Sequence, residues 1–147
     1  MDEQIQTATN YSLHDKWGKA LDMGFVVIPN ALLRCQHKLK INDGEMVVLM
    51  NLMMSWWKVG EHPFPRAETI AKRMGVSDRT VQRHLGQLEK RGLISRIRRV
   101  DRRDDSPASV QYDLAGIVET LKGYGSEISR PQAAQPTTNI TNCEVTH

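Results

Sequence analysis

The chain has 147 residues, 39% of them hydrophobic and 25% charged, which suffices for the core of one soluble domain, and no apolar run is long enough to cross a bilayer, LMNLMMSWW (49–57) being too short and too Met-rich. Its two cysteines, Cys35 and Cys143, are far apart, which excludes a disulfide framework and reads as reduced thiols in a cytoplasmic protein. The formal net charge of +3 conceals an uneven distribution: residues 61–103 hold 12 Lys/Arg against 5 Asp/Glu, a net +7, whereas residues 1–60 balance and residues 104–147 carry −4. A basic middle third raises the odds of a polyanionic partner.

In chain order, the polar, acidic opening MDEQIQTATNYSLHD lacks the basic-then-apolar pattern of a secretion signal, and residues 1–23 are expected to be a partly disordered N-terminal segment. FVVIPNALL (25–33) is a short apolar, β-branched run stopped by Pro29 and followed by a short helix from Asn30. Asn42 or Asp43 can cap the next helix, with Glu45 in its first turn and Met46, Leu49, Met50, Met53 and Trp57 near helical spacing. The methionines read as core filler, and Trp56 and Trp57 as core and interface packing. The two prolines of HPFPR (62–66) break that helix.

A helix from about Ala67 to Met74 follows, and Gly75 supplies a sharp turn, because glycine reaches left-handed backbone angles without steric cost. Ser77 is placed to cap the next helix near Thr80, Asp78 favours its positive end, and Gly92 stops it after about Arg91. LISRIRRV (93–100) and SVQYDL (109–114) read as two strands around the charged loop DRRDDSPA (101–108). Leu114, Ile117, Val118 and Leu121 form one more amphipathic helix, and from Gly123 the chain is expected to be a disordered polar tail, 123–147.

On a helical wheel at about 100° per residue, Val81, Leu85 and Leu88 fall on one stripe, while Arg79, Arg83 and Lys90 fall almost opposite, with Gln82 and Gln87 on the flanks. Arginine forks onto guanine O6 and N7, and glutamine pairs with adenine N6 and N7, so the second edge has the chemistry of a major-groove reader. The preceding helix and Gly75 turn would brace it at a steep angle, and a β-ribbon with a basic tip suits a phosphate or minor-groove contact.

FPRAETIAKRMGVSDRTVQRHLGQLEKRGLISRIRR (64–99) resembles the winged helix-turn-helix domains of bacterial regulators and of plasmid or phage replication proteins. The features that carry the resemblance are Ala71 in the supporting helix, Gly75 in the turn, Val76 and Val81 as core positions, RTVQRHL as the recognition segment and the closing RGLI. It extends more loosely over residues 24–122 and implies a mainly α fold: a three-helix core, a two-stranded wing and an extra C-terminal helix. By position, it implies DNA contact at Ser77, Arg79, Thr80, Gln82 and Arg83, and wing contact from Arg96, Arg98, Arg99, Arg102 and Arg103. Asp78 departs from the pattern; it either accepts from a cytosine amino group or serves the helix end. Gly86 is a second departure, a mid-helix glycine costing about 1 kcal/mol relative to alanine, with close approach to a phosphate as one explanation.

The expected function is sequence-specific binding of double-stranded DNA by a small transcription regulator, a repressor, with Arg66, Lys72 and Arg73 holding phosphates. A homodimer on a pseudo-palindrome is expected, because one short helix reads too few base pairs. Two alternatives use the same fold: an origin-binding or adaptor module of a replication or mobile-element machine, its tail 123–147 recruiting a protein partner, and a winged helix that binds protein only. The five histidines do not cluster with Cys35 at metal-ligand spacing, and no P-loop, nucleophile elbow or catalytic acid pair is present. The sequence therefore offers no support for an enzyme, a metal or a cofactor.

Overall fold

A computed structural model of the protein describes residues 13–99 and 109–128. Arg102 and Arg103, with the rest of the loop at 100–108, lie outside the described residues, as do residues 1–12 and 129–147. Residues 13–17 are helical and pass into a 3-10 turn, Gly18–Met23. Eight elements follow: α1 (Asn30–Arg34), α2 (Gln36–Leu39), α3 (Asp43–Met54), α4 (Ala67–Met74), α5 (Asp78–Lys90), β1 (Ser95–Arg99), β2 (Ser109–Asp113) and α6 (Ala115–Ile128).

Local chemistry fixes the boundaries. Asn42 and Glu45 form a reciprocal capping box at the start of α3: the Asn42 side chain accepts from the Glu45 N–H at 2.8 Å, and the Glu45 carboxylate accepts from the Asn42 N–H at 3.1 Å. Gly75 ends α4 in the left-handed region at φ 67°, and the Val76 N–H closes onto the Ala71 carbonyl at 3.1 Å. The Ser77 hydroxyl accepts from the Thr80 N–H at 3.2 Å and starts α5. Gly92, at φ 71°, terminates α5 in the same manner as Gly75 ends α4, with the Leu93 N–H on the Leu88 carbonyl at 3.1 Å. Strands β1 and β2 are antiparallel in a register that sets Ser95 opposite Asp113 and Arg99 opposite Ser109.

The core lies where α3, α4 and α5 meet. Val48, Leu49 and Leu52 of α3, Ile70 of α4, and Val81, Leu85 and Leu88 of α5 are fully buried, with Leu32 from α1, Ile94 and Ile117 closing it. Backbone hydrogen bonds tie the ribbon and the last helix to the segments around them. The Tyr112 N–H donates to the Pro63 carbonyl at 2.9 Å, and the Ile117 N–H donates to the Leu93 carbonyl at 2.8 Å. At the second junction, a side chain at Gly116 would collide with the Gly92 carbonyl, so only glycine allows α6 to begin there.

Four expectations are corrected. Helix α3 stops at Met54, before the prolines, because the Ser55 and Trp56 N–H groups turn back onto Leu52 and Met53. Trp57 is therefore not on the buried stripe: it is 80% exposed, and Val48 and Leu52 fill the core instead. Val76 is exposed in the turn rather than buried like Val81. The last helix runs through Gly123 to Ile128 instead of yielding to a tail at 123, since Tyr124 packs against the core and Lys38 lies 5.3 Å over its ring. The run at 25–29 forms no ladder among the described residues; Phe25 and Val27 are exposed and border a groove of about 590 Å3 shared with Trp57, Ile117 and Leu121.

Candidate nucleic-acid interface

Helix α5 is anchored so firmly on one side that its other side is left with little structural duty. Val81, Leu85 and Leu88 fix its rotation. Arg91, just past its end, donates to the buried Glu45 at 2.6 Å, so the carboxylate that caps α3 also holds the end of α5. The His84 ring abuts Gly44, where an added Cβ would fall 2.5 Å from Nε2. These contacts present a single edge of α5 to solvent.

Arg79 and Arg83 stand on that edge. Both are exposed, and neither side chain makes an intramolecular hydrogen bond or ion pair among the described residues. One helical turn separates them, so their side chains are neighbours, about 6 Å apart at Cβ. Lys90 is likewise exposed and unengaged. Ser77 and Thr80 are occupied with each other, their hydroxyls 2.9 Å apart, so the cap rather than a free hydroxyl is their first role. Asp78 is exposed in the first turn, where a negative charge complements the helix dipole. It is also close enough to the wing to affect the Tyr112 phenol, whose pKa is raised chiefly by burial, lowered by Arg96, and raised further by Asp78 and Glu89.

The remaining basic residues divide into engaged and free. Arg96 is not a wing-surface cation. Its guanidinium reaches back to α5, donating to the Gln82 side chain and to the Gln82 carbonyl, each at 3.3 Å. Its Nε lies 3.3 Å from the Glu89 carboxylate, at ion-pair distance but without hydrogen-bond alignment. Arg96 thus clasps β1 to α5, and Gln82 is partly used in the clasp. Gly86 lies beneath it, with an added Cβ 3.5 Å from the guanidinium, which is ordinary contact, so nothing in the packing explains a glycine there.

On α4, Lys72 pairs with Glu68 at 3.0 Å, and this hydrogen bond holds the Glu68 carboxyl below its usual value, with the Lys72 charge as the second cause. Arg73 donates to Asn51 at 3.3 Å, linking α4 to α3. Both contacts are solvent-exposed and so worth little. Arg66 stands exposed at the N-cap of α4. Arg98 and Arg99 are exposed on β1, and strand alternation turns them to opposite faces of the ribbon.

Sequence reasoning missed the clasp residues Glu89 and Arg96, the Glu45–Arg91 pair and the His84–Gly44 contact. Only the Asn42–Glu45 capping spacing was a visible signal; the partners lie up to 46 residues apart and carry no local pattern. No group of three metal-ligating side chains occurs among the described residues, and no helix there is long and apolar enough to cross a membrane.

Residues 39–94 match a family model described as a helix-turn-helix domain. The chain matches no curated protein. Among solved structures, it is similar to the N-terminal domain of DnaD protein from Geobacillus kaustophilus HTA426, with a TM-score of 0.54 and 24% identity over 78% of this chain and 91% of that one. YusO protein from Bacillus subtilis aligns over 88% of this chain and 84% of that one, at 19% identity and a TM-score of 0.39. With three packed helices, a Gly75 turn, a two-stranded ribbon and a following helix in this order, the chain contains a winged helix-turn-helix domain.

Proposed function

We propose that this protein binds double-stranded DNA sequence-specifically as a transcription regulator, a repressor, with α5 entering the major groove. The observation that carries the reading is the pair Arg79 and Arg83, exposed and unengaged one turn apart on a helix whose opposite stripe is fully buried. Guanidinium groups held this way can fork onto guanine edges without first breaking an internal bond. Gln82 and Asp78 flank them as secondary base contacts, with Ser77 and Thr80 at the helix start. Arg66, Lys72, Arg73, Arg98 and Arg99 then take phosphates, the weak exposed contacts of Lys72 and Arg73 giving way to the stronger charge of the backbone. Arg96 is excluded from this set because its guanidinium is committed to α5.

Thirteen helical residues reach too few base pairs for useful specificity, so two copies on a pseudo-palindromic site are part of the reading. Selection of the full chain on random duplexes, followed by shift assays at two salt concentrations, tests it. An enriched two-fold-symmetric site, two chains per duplex and a steep loss of affinity with salt are expected. No enrichment and a flat salt response would remove duplex DNA as the partner and leave a protein-binding winged helix.

A further inference from the structure

Beside Arg99, the outer face of the wing carries groups that the duplex reading does not use, Trp57, Phe64 and Gln111. Strand alternation directs Arg96 toward α5 and Arg99 away from it. On that outer side, Arg99 and Gln111 line a cavity of about 260 Å3 together with Trp56, Trp57 and Phe64. Trp57 is 80% exposed and Phe64 is 68% exposed, although Pro63 beside them is buried, so the aromatic rings are not needed to close the core. Arg99 has no intramolecular side-chain partner among the described residues. Glu61 is the one carboxylate lining the cavity among the described residues, and Lys58, 3.6 Å away, offsets part of its charge.

Exposed aromatic faces beside a free guanidinium and a side-chain amide match a specific chemistry. A stacked duplex hides its base faces, whereas an unpaired strand offers π-faces, hydrogen-bonding edges and a phosphate at each nucleotide. A purely apolar peptide would leave Arg99 and Gln111 without use. We propose that the outer wing face binds single-stranded DNA, with unpaired bases stacked on Trp57 and Phe64 and a backbone phosphate held by Arg99. This surface is distinct from the Arg79–Arg83 edge, and the inference does not depend on duplex recognition.

The test uses the full chain and an oligothymidylate of about 12 nucleotides, within the usual span of such sites. Saturable binding with quenching of tryptophan emission is expected. Trp57→Ala and Phe64→Ala, each checked for a native circular dichroism spectrum, should weaken that binding by about tenfold or more. Arg79→Ala should bind the oligonucleotide as wild type does while losing its duplex preference, which separates the two surfaces. Absence of saturable binding, or wild-type affinity in both aromatic variants, would overturn the proposal. So would conversion of a dimer to monomers by Trp57→Ala with oligonucleotide affinity unchanged, which would assign the face to a second copy of the chain.

Discussion

Arg96 and Arg98 are two residues apart on one strand, yet the structure gives them different roles. The Arg96 guanidinium is spent on Gln82 and Glu89, and Arg98 is exposed. Arg96→Ala should therefore destabilise the fold by about 1 kcal/mol in urea unfolding, because it removes the clasp and the packing of a mostly covered side chain. Arg98→Ala should leave stability unchanged and instead reduce the salt slope of DNA binding by about one. Equal unfolding midpoints for the two variants would remove the distinction. In sequence both belong to a single basic run, and nothing local separates them. Alternation puts both on the same face of the ribbon, and the placement of β1 after the Gly92 turn brings Arg96, not Arg98, within reach of Gln82 and Glu89.

The elements were legible where a local signal existed and obscure where it did not. Helix α5 was readable from end to end, since Ser77 caps it, its apolar stripe is narrow, and Gly92 stops it. Helix α3 was misjudged at its C-terminus because it is apolar nearly all round, so spacing could not separate the buried Val48 and Leu52 from the exposed Trp57. The junctions between elements were invisible, being made by single glycines and by pairs remote in sequence. Gly116→Ala would drive a methyl group into the Gly92 backbone and should cost about 2–3 kcal/mol. Gly86→Ala meets only ordinary contact and should stabilise the protein by up to about 1 kcal/mol, the helix penalty of glycine. Arg91→Ala, which leaves the buried Glu45 carboxylate without its cation, should cost about 2–3 kcal/mol. Thermal or urea unfolding of the three variants checks the signs: a destabilised Gly86→Ala or an unaffected Gly116→Ala would contradict this packing.

For the molecule as a whole, the concentration of positive charge in residues 61–103 now has a spatial meaning. Part of it is engaged within the protein, by Arg91 on Glu45 and Arg96 on α5, and part is offered outward along α5 and the two faces of the wing. The general fold could be anticipated from the turn, cap and stripe of residues 64–99, whereas the division of that charge could not. The central claim is that Arg79 and Arg83 discriminate between bases. Competition binding of wild type, Arg79→Ala and Arg83→Ala to the selected duplex and to random duplex measures it directly. The account predicts that each variant loses about 1–3 kcal/mol of preference for the selected site while keeping its unfolding midpoint. Wild-type discrimination in both variants would contradict it.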